Sequence, residues 1–252
     1  MRPLIVALFL ACTACGGGGG AAEPVTVAAA ASLREVMTEL EAEYEAAHPG
    51  VRVRTTFGAS GALRQQIEQG APIDLFVSAA AAPMDALAKS GRVDTATRRV
   101  LAGNELVAIV PAQGGAAVAA LADLAKPAVR RVALGAPASV PAGEYAEEAL
   151  RAAGVLEAVR AKAVYAQDVR QVLAYVASGN ADAGLVYRTD AAVSPRVRVA
   201  AAAPAGSHRP IVYPVAAVTD ARNPEGARAF LAFILGPRGR EALRRHGFRA
   251  DG

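Results

Sequence analysis

Ser32 is followed by Leu33, Arg34 and Glu35, the S-x-x-E spacing of a capping box, so a helix is predicted to start at Leu33. A helix start carries free backbone N–H groups and the positive end of the helix dipole, and together they favour an anion. The alanines at 28–31 add no side-chain bulk in front of that turn, so something small could sit against it. Taken alone, the pattern says only that Ser32 is an N-cap, which is the commoner case. Ser60 offers a second hydroxyl and could be a nucleophile. A G-x-S-x-G elbow would need Gly at position 62, where the chain has Ala. A serine hydrolase also needs a base. His48, His208 and His246 lie in turn-like or terminal contexts beside Pro, Arg or Gly and read as surface residues. Asp168 reads as a plain N-cap and Tyr187 as a strand-end aromatic.

These residues sit in a chain of 252 amino acids that alternates strand with helix, the pattern of a parallel-type sheet covered on both faces. Strands are expected at 25–29, 51–57, 74–78, 132–135, 163–165 and 183–187, all but the last feeding a helix. Residues 106–110 form a strand of a different kind, 197–201 and 211–218 are extended too, and the strands near 106–110 and 211–215 link two α/β lobes and act as a hinge. The division this gives is 24–104 and 216–252 for one lobe and 105–215, with the hinge strands, for the other. Ligands in such sheets lie outside the carboxyl ends of the strands. Five turns then face one cleft: those at Ser32, Ser60, Pro141-Ala142, Asp168-Val169 and Tyr187.

The 27 Lys and Arg against 23 Asp and Glu make the chain only mildly basic, and the charges are spread along it. With few aromatics and no basic-aromatic motif, a nucleic-acid partner is not expected. Arg238, Arg240, Arg244, Arg245 and Arg249 read as a solvated helix face. Residues 1–23 stand apart from the fold. Arg2 supplies a positive start, and the apolar run at 4–11 is too short to span a bilayer. Cys12-Thr-Ala-Cys15 and the five glycines after it resemble a bacterial lipoprotein signal, with Cys15 acylated and the glycines as tether. Cys12 stands where such signals usually carry Leu, so acylation of Cys12 and plain cleavage after Ala14 stay open. All three readings put the mature chain outside the cytoplasm with no structural disulfide. The glycine run lacks the Lys-Ser/Thr of a phosphate loop.

A set of motifs, in order from 25 to 248, goes further: Ala29-Ala-Ala-Ser32-Leu33, Gly70-Ala-Pro72-Ile-Asp74-Leu-Phe76-Val-Ser78-Ala79, Asp94-Thr-Ala-Thr-Arg98, Val140-Pro-Ala-Gly143-x-Tyr145-Ala146, Asp168-Val-Arg170, Gly184-Leu-Val-Tyr187, Tyr213-Pro214-Val215 and Gly236-Pro237. Each is weak alone. Together they resemble the periplasmic molybdate-binding proteins of ABC importers, among the bacterial extracellular solute-binding proteins. The resemblance implies a two-lobed periplasmic-binding-protein fold of type II and a binding protein, not an enzyme. It implies molybdate or tungstate as ligand, with molybdenum present only inside the bound oxyanion and no cofactor. It also implies a monomer that delivers its ligand to a membrane permease with its ATPase. The site it implies is made of neutral donors: the hydroxyls of Ser32, Ser60 and Tyr187 and the N–H groups of Ala142 and Val169. Gly58-Ala59-Ser60-Gly61-Ala62 departs from the serine-rich turn of some relatives and leaves Ser60 as its one side-chain donor. Such a pocket suits a fully deprotonated dianion. Sulfate, of equal charge, is the alternative ligand, and a serine hydrolase is the alternative of another class.

Overall fold

The structure, a computed structural model, describes residues 23–250. Cys12, Cys15 and the glycine tether, with the readings attached to them, lie outside the described residues. No helix among those described is long and apolar enough to cross a membrane.

The chain runs β1 (Val25–Ala30), α1 (Arg34–Ala47), β2 (Val53–Gly58), α2 (Ser60–Glu68), β3 (Leu75–Val77), α3 (Ala81–Lys89) and β4 (Arg99–Gly103). It continues with β5 (Leu106–Pro111), β6 (Val132–Gly135), α4 (Pro141–Ala152), α5 (Leu156–Arg160), β7 (Ala163–Ala166), α6 (Val169–Ala177), β8 (Ala183–Tyr187), α7 (Arg188–Ala192) and β9 (Val197–Ala202). Then come β10 (Val212–Ala217), α8 (Pro224–Leu235) and α9 (Pro237–Arg245). Two five-stranded sheets result, ordered β2-β1-β3-β10-β4 and β7-β6-β8-β5-β9. These are the two lobes of the type II fold.

The sheets are mixed, where a parallel type was expected. β1, β2 and β3 are parallel, as are β6, β7 and β8, but β10 and β5 are antiparallel to their neighbours. The reason is where the chain arrives. It crosses between lobes just before β5 and just before β10, at the end where the parallel strands finish, so Leu106 pairs with Tyr187 and Val215 with Val77. Residues 212–215, expected with the second lobe, pair throughout with β3 and β4 of the first.

Both faces of the first sheet are buried. Val25, Val27 and Ala29 join one cluster with Val36, Met37 and Leu40 of α1, while Ala28 and Phe76 join another with Leu63, Ile67 and Met84 of α2 and α3. This explains why these strands read as unbroken apolar runs. In the second lobe, α4 begins hard against β6. A Cβ on Gly143 would lie 2.1 Å from the Gly135 carbonyl oxygen, and one on Gly135 would lie 2.4 Å from Val140. Two bare glycines therefore let the helix start meet the strand end. Gly143→Ala is expected to cost about 1–3 kcal/mol through overpacking. Thermal melting should show Tm lower by about 2–4 °C for each kcal/mol in a chain of this size. An unchanged Tm would show that the contact yields.

Candidate functional site

One small cavity lies at the carboxyl ends of the parallel strands, between the lobes, and all five expected residues line it: Ser32, Ser60, Ala142, Val169 and Tyr187. Ala30, Ala31 and Ala79 form a floor without bulk. The space is tight, leaving ≈ 10 Å³ through which the centre of a water-sized sphere can move. A larger hollow at the back of the hinge is flanked by Arg188 and Arg249, both already paired with Glu105.

Helix starts supply the backbone donors. Pro141 is the first residue of α4 and has no N–H, so Ala142 offers the first one. Val169 is the first residue of α6. Neither N–H has an acceptor within its own helix. Asp168 behaves as expected: its carboxylate turns back to accept from the Gln171 N–H at 2.9 Å, which leaves the Val169 N–H free of it.

The serines differ from a simple cap. Ser32 lies in a 3-10 turn, Ala31–Leu33, and the N-cap of α1 is Leu33. The expected capping box is absent. Buried Ser32 Oγ instead lies 3.0 Å from the Tyr213 hydroxyl, and Glu35 is drawn across the cleft to Arg170. Ser60 Oγ accepts from the Ala79 N–H at 2.9 Å. The next residue, Gly61, donates its N–H across the cleft to the Ser139 carbonyl at 2.9 Å. A Cβ there would lie 2.6 Å from that oxygen, so the departure at Gly61 has a structural use.

Tyr187 closes the pocket. It is 1 % exposed, and its hydroxyl has no hydrogen-bond partner. Burial pushes its pKa well above the ordinary value, so it stays a neutral donor. Its ring packs edge-on against Tyr213, whose pKa burial also raises. Among the described residues no histidine serves either serine: His48 Nδ1 faces the Tyr44 carbonyl, His208 Nδ1 the Arg209 carbonyl and His246 Nε2 faces Glu39. A hydrolase reading therefore lacks its base.

Arg170, beside Val169, was not expected to matter. Its guanidinium gives Glu35 Oε1 a hydrogen bond of 2.9 Å and also reaches Glu35 Oε2 and the Ser32 carbonyl, joining the lobes at the rim. Its Nε is 2.7 Å from Asp190 Oδ1, close enough for charge attraction but not aligned as a hydrogen bond. The other Asp190 oxygen accepts from the Tyr187 N–H at 3.3 Å. The motif Asp168-Val-Arg170 marked the position, but nothing in sequence spacing pairs it with Glu35 or Asp190.

The sequence matches the bacterial extracellular solute-binding protein family over residues 25–249, nearly the whole described chain. The chain belongs to that family. Relatives agree in length. The molybdate-binding protein ModA of Escherichia coli is 39 % identical over 228 residues, 89 % of this chain and 88 % of its own. A Bacillus subtilis protein, YvgL, named provisionally as an ABC transporter substrate-binding lipoprotein, is 40 % identical over 226 residues, 90 % of this chain and 86 % of its own. The periplasmic molybdate-binding protein of Azotobacter vinelandii has the same fold, with a TM-score of 0.78, 24 % identity and coverage of 90 % of this chain and 100 % of its own. This family is one of solute-binding proteins and not of enzymes.

Asp190 gives the family fold here a pH dependence. Burial pushes its carboxyl from an ordinary 3.8 up to about 7, against the pull of Arg170 and the Tyr187 N–H. The folded state then holds the proton where the unfolded chain has lost it, so this group's contribution to stability falls as pH rises between those values. The Tm of the parent minus that of Asp190→Asn should therefore be smaller at about pH 8 than at about pH 5. Scanning calorimetry at both values checks it, and a difference that grows with pH refutes it.

Proposed function

We propose that this protein captures molybdate, and tungstate with it, in the interlobe cavity and delivers it to the permease and ATPase of an ABC importer. The observation that carries this is the Tyr187 hydroxyl: fully buried, unpartnered, and on the wall of a cavity also lined by the Ser32 and Ser60 hydroxyls and the free helix starts at Ala142 and Val169, with the Asp168 carboxylate turned to its own helix. A buried donor without a partner is costly, and a ligand oxygen would satisfy it. Ser32, Ser60, Ala142, Val169 and Tyr187 are the ligand-binding set in this reading. Molybdate and tungstate are dianions without protons near neutral pH and accept hydrogen bonds only. The E. coli relative named for molybdate supports that choice over sulfate, and the tight cavity supports a compact inorganic ion over an organic ester. The two lobes, divided at the chain crossings, close on the ligand by hinge motion. The protein acts as a monomer outside the cytoplasm, held to a membrane through acylated Cys15.

Melting with molybdate, tungstate, sulfate and phosphate in turn tests the ligand. A ligand at about 100 times its Kd adds ~2.7 kcal/mol, and molybdate and tungstate are expected to give the largest shifts. Tyr187→Phe should weaken molybdate binding about 10- to 150-fold, the worth of a hydrogen bond to a charged group. The same change should leave the ligand-free melting point level or higher, because it removes an unpaired buried hydroxyl. Titration calorimetry showing parental affinity would sink the site assignment.

The anchor has its own test. Cys15→Ser should release the protein to the soluble extracytoplasmic fraction or leave it unprocessed. Fractionation and migration like the parent's would exclude Cys15 as the anchor.

A further inference from the structure

Behind Ser32, and outside the cavity, lies a buried chain of polar groups at the hinge: Ser32 Oγ, Tyr213 Oη at 3.0 Å, Asn104 Nδ2 at 3.2 Å from Tyr213, and Thr189 Oγ1 at 2.9 Å from Asn104. Ser32, Tyr213, Asn104 and Thr189 are all buried. We propose that Asn104 and Tyr213 set the direction of the Ser32 hydroxyl, so that its hydrogen always points into the cavity and the site favours an anion without a proton over one that carries it. This rests on the oxyanion reading above and names two specificity-determining residues that do not line the cavity.

The direction follows from counting hydrogens. Asn104 Oδ1 accepts from the Glu105 N–H at 2.9 Å, which fixes the amide so that its NH₂ side faces Tyr213 and Thr189. Tyr213 Oη therefore receives a hydrogen from Asn104. Its own hydrogen then has one acceptor within reach among the described residues, Ser32 Oγ. The reverse, Ser32 donating to Tyr213, would leave the phenol hydrogen buried without an acceptor. Ser32 Oγ is thus an acceptor toward Tyr213, and its hydrogen is left for the cavity. Ser60 is held the same way by the Ala79 N–H. Each serine oxygen keeps one further lone pair, but its hydrogen is directed into the cavity, where an oxygen without a proton receives it and a protonated one opposes it. The position of Tyr213 is specific too: the register of β10 against β4 shifts between Tyr213 and Pro214, where Pro214 has no N–H for the ladder.

Asn104→Asp should turn the relay round. The carboxylate introduced there can still accept from the Glu105 N–H, but it offers Tyr213 an acceptor in place of a donor. Tyr213 then donates to that carboxylate, Ser32 donates to Tyr213, and Ser32 presents a lone pair to the cavity. Sulfate and hydrogen phosphate are the probes, because they match in size and in charge near pH 8 and differ by one proton. Repulsion from the added carboxylate acts on both and cancels in their ratio. Each is measured by its displacement of molybdate. The parent should hold sulfate at least about 10-fold more tightly than hydrogen phosphate, and Asn104→Asp should reduce that ratio by about 10-fold or more. Equal affinity of the parent for the two ions overturns the proposal, and that measurement needs no variant. An unchanged ratio in folded Asn104→Asp, its fold checked by circular dichroism, overturns it as well. A parent that binds no oxyanion would instead overturn the function on which the proposal rests.

Discussion

A phenol hydroxyl sealed from water with nothing to bond is a debt in any fold, and here Tyr187 carries it at the centre of the molecule. The tyrosine ends β8, where β5 enters the sheet from the other lobe. Its backbone N–H is held by Asp190, and its ring rests on Tyr213. Each neighbour fixes the hydroxyl, and none satisfies it. The surrounding donors, from helix starts and from serines already engaged as acceptors, have the same need. An acceptor placed between these converging donors would stabilise them.

Small residues make the convergence possible. Ala30, Ala31 and Ala79 keep the floor bare, and Gly135 and Gly143 bring the start of α4 onto β6. Gly61 admits the Ser139 carbonyl from the opposite lobe. No Lys or Arg among the described residues lines the cavity, and the partial positive ends of several helices meet within that one small space.

The repeating elements were legible from sequence because their physics is local. Buried strands such as Leu75–Val77 show as apolar runs, Asp168 caps α6 as its spacing said, and the five turns meet because strand ends meet. What failed was non-local. Ser32 and Glu35 have capping-box spacing, yet each finds a stronger partner far along the chain, Tyr213 and Arg170. No periodicity relates position 32 to 213 or 35 to 170. The antiparallel direction of β5 and β10 was missed for a like reason, since strand direction depends on which lobe the chain has just left. Asn104 and Thr189 carry no motif and acquire a role only once the hinge brings them together.

The Arg170–Glu35 pair divides the response of the protein to its medium. The cavity walls are uncharged apart from Asp168, which is turned to its own helix, whereas the pair that joins the lobes is ionic and partly open to solvent. Dissolved salt screens exposed charges over about 8–10 Å and leaves buried neutral hydrogen bonds almost untouched. Salt therefore has more hold on this partly open pair than on the neutral groups that line the cavity.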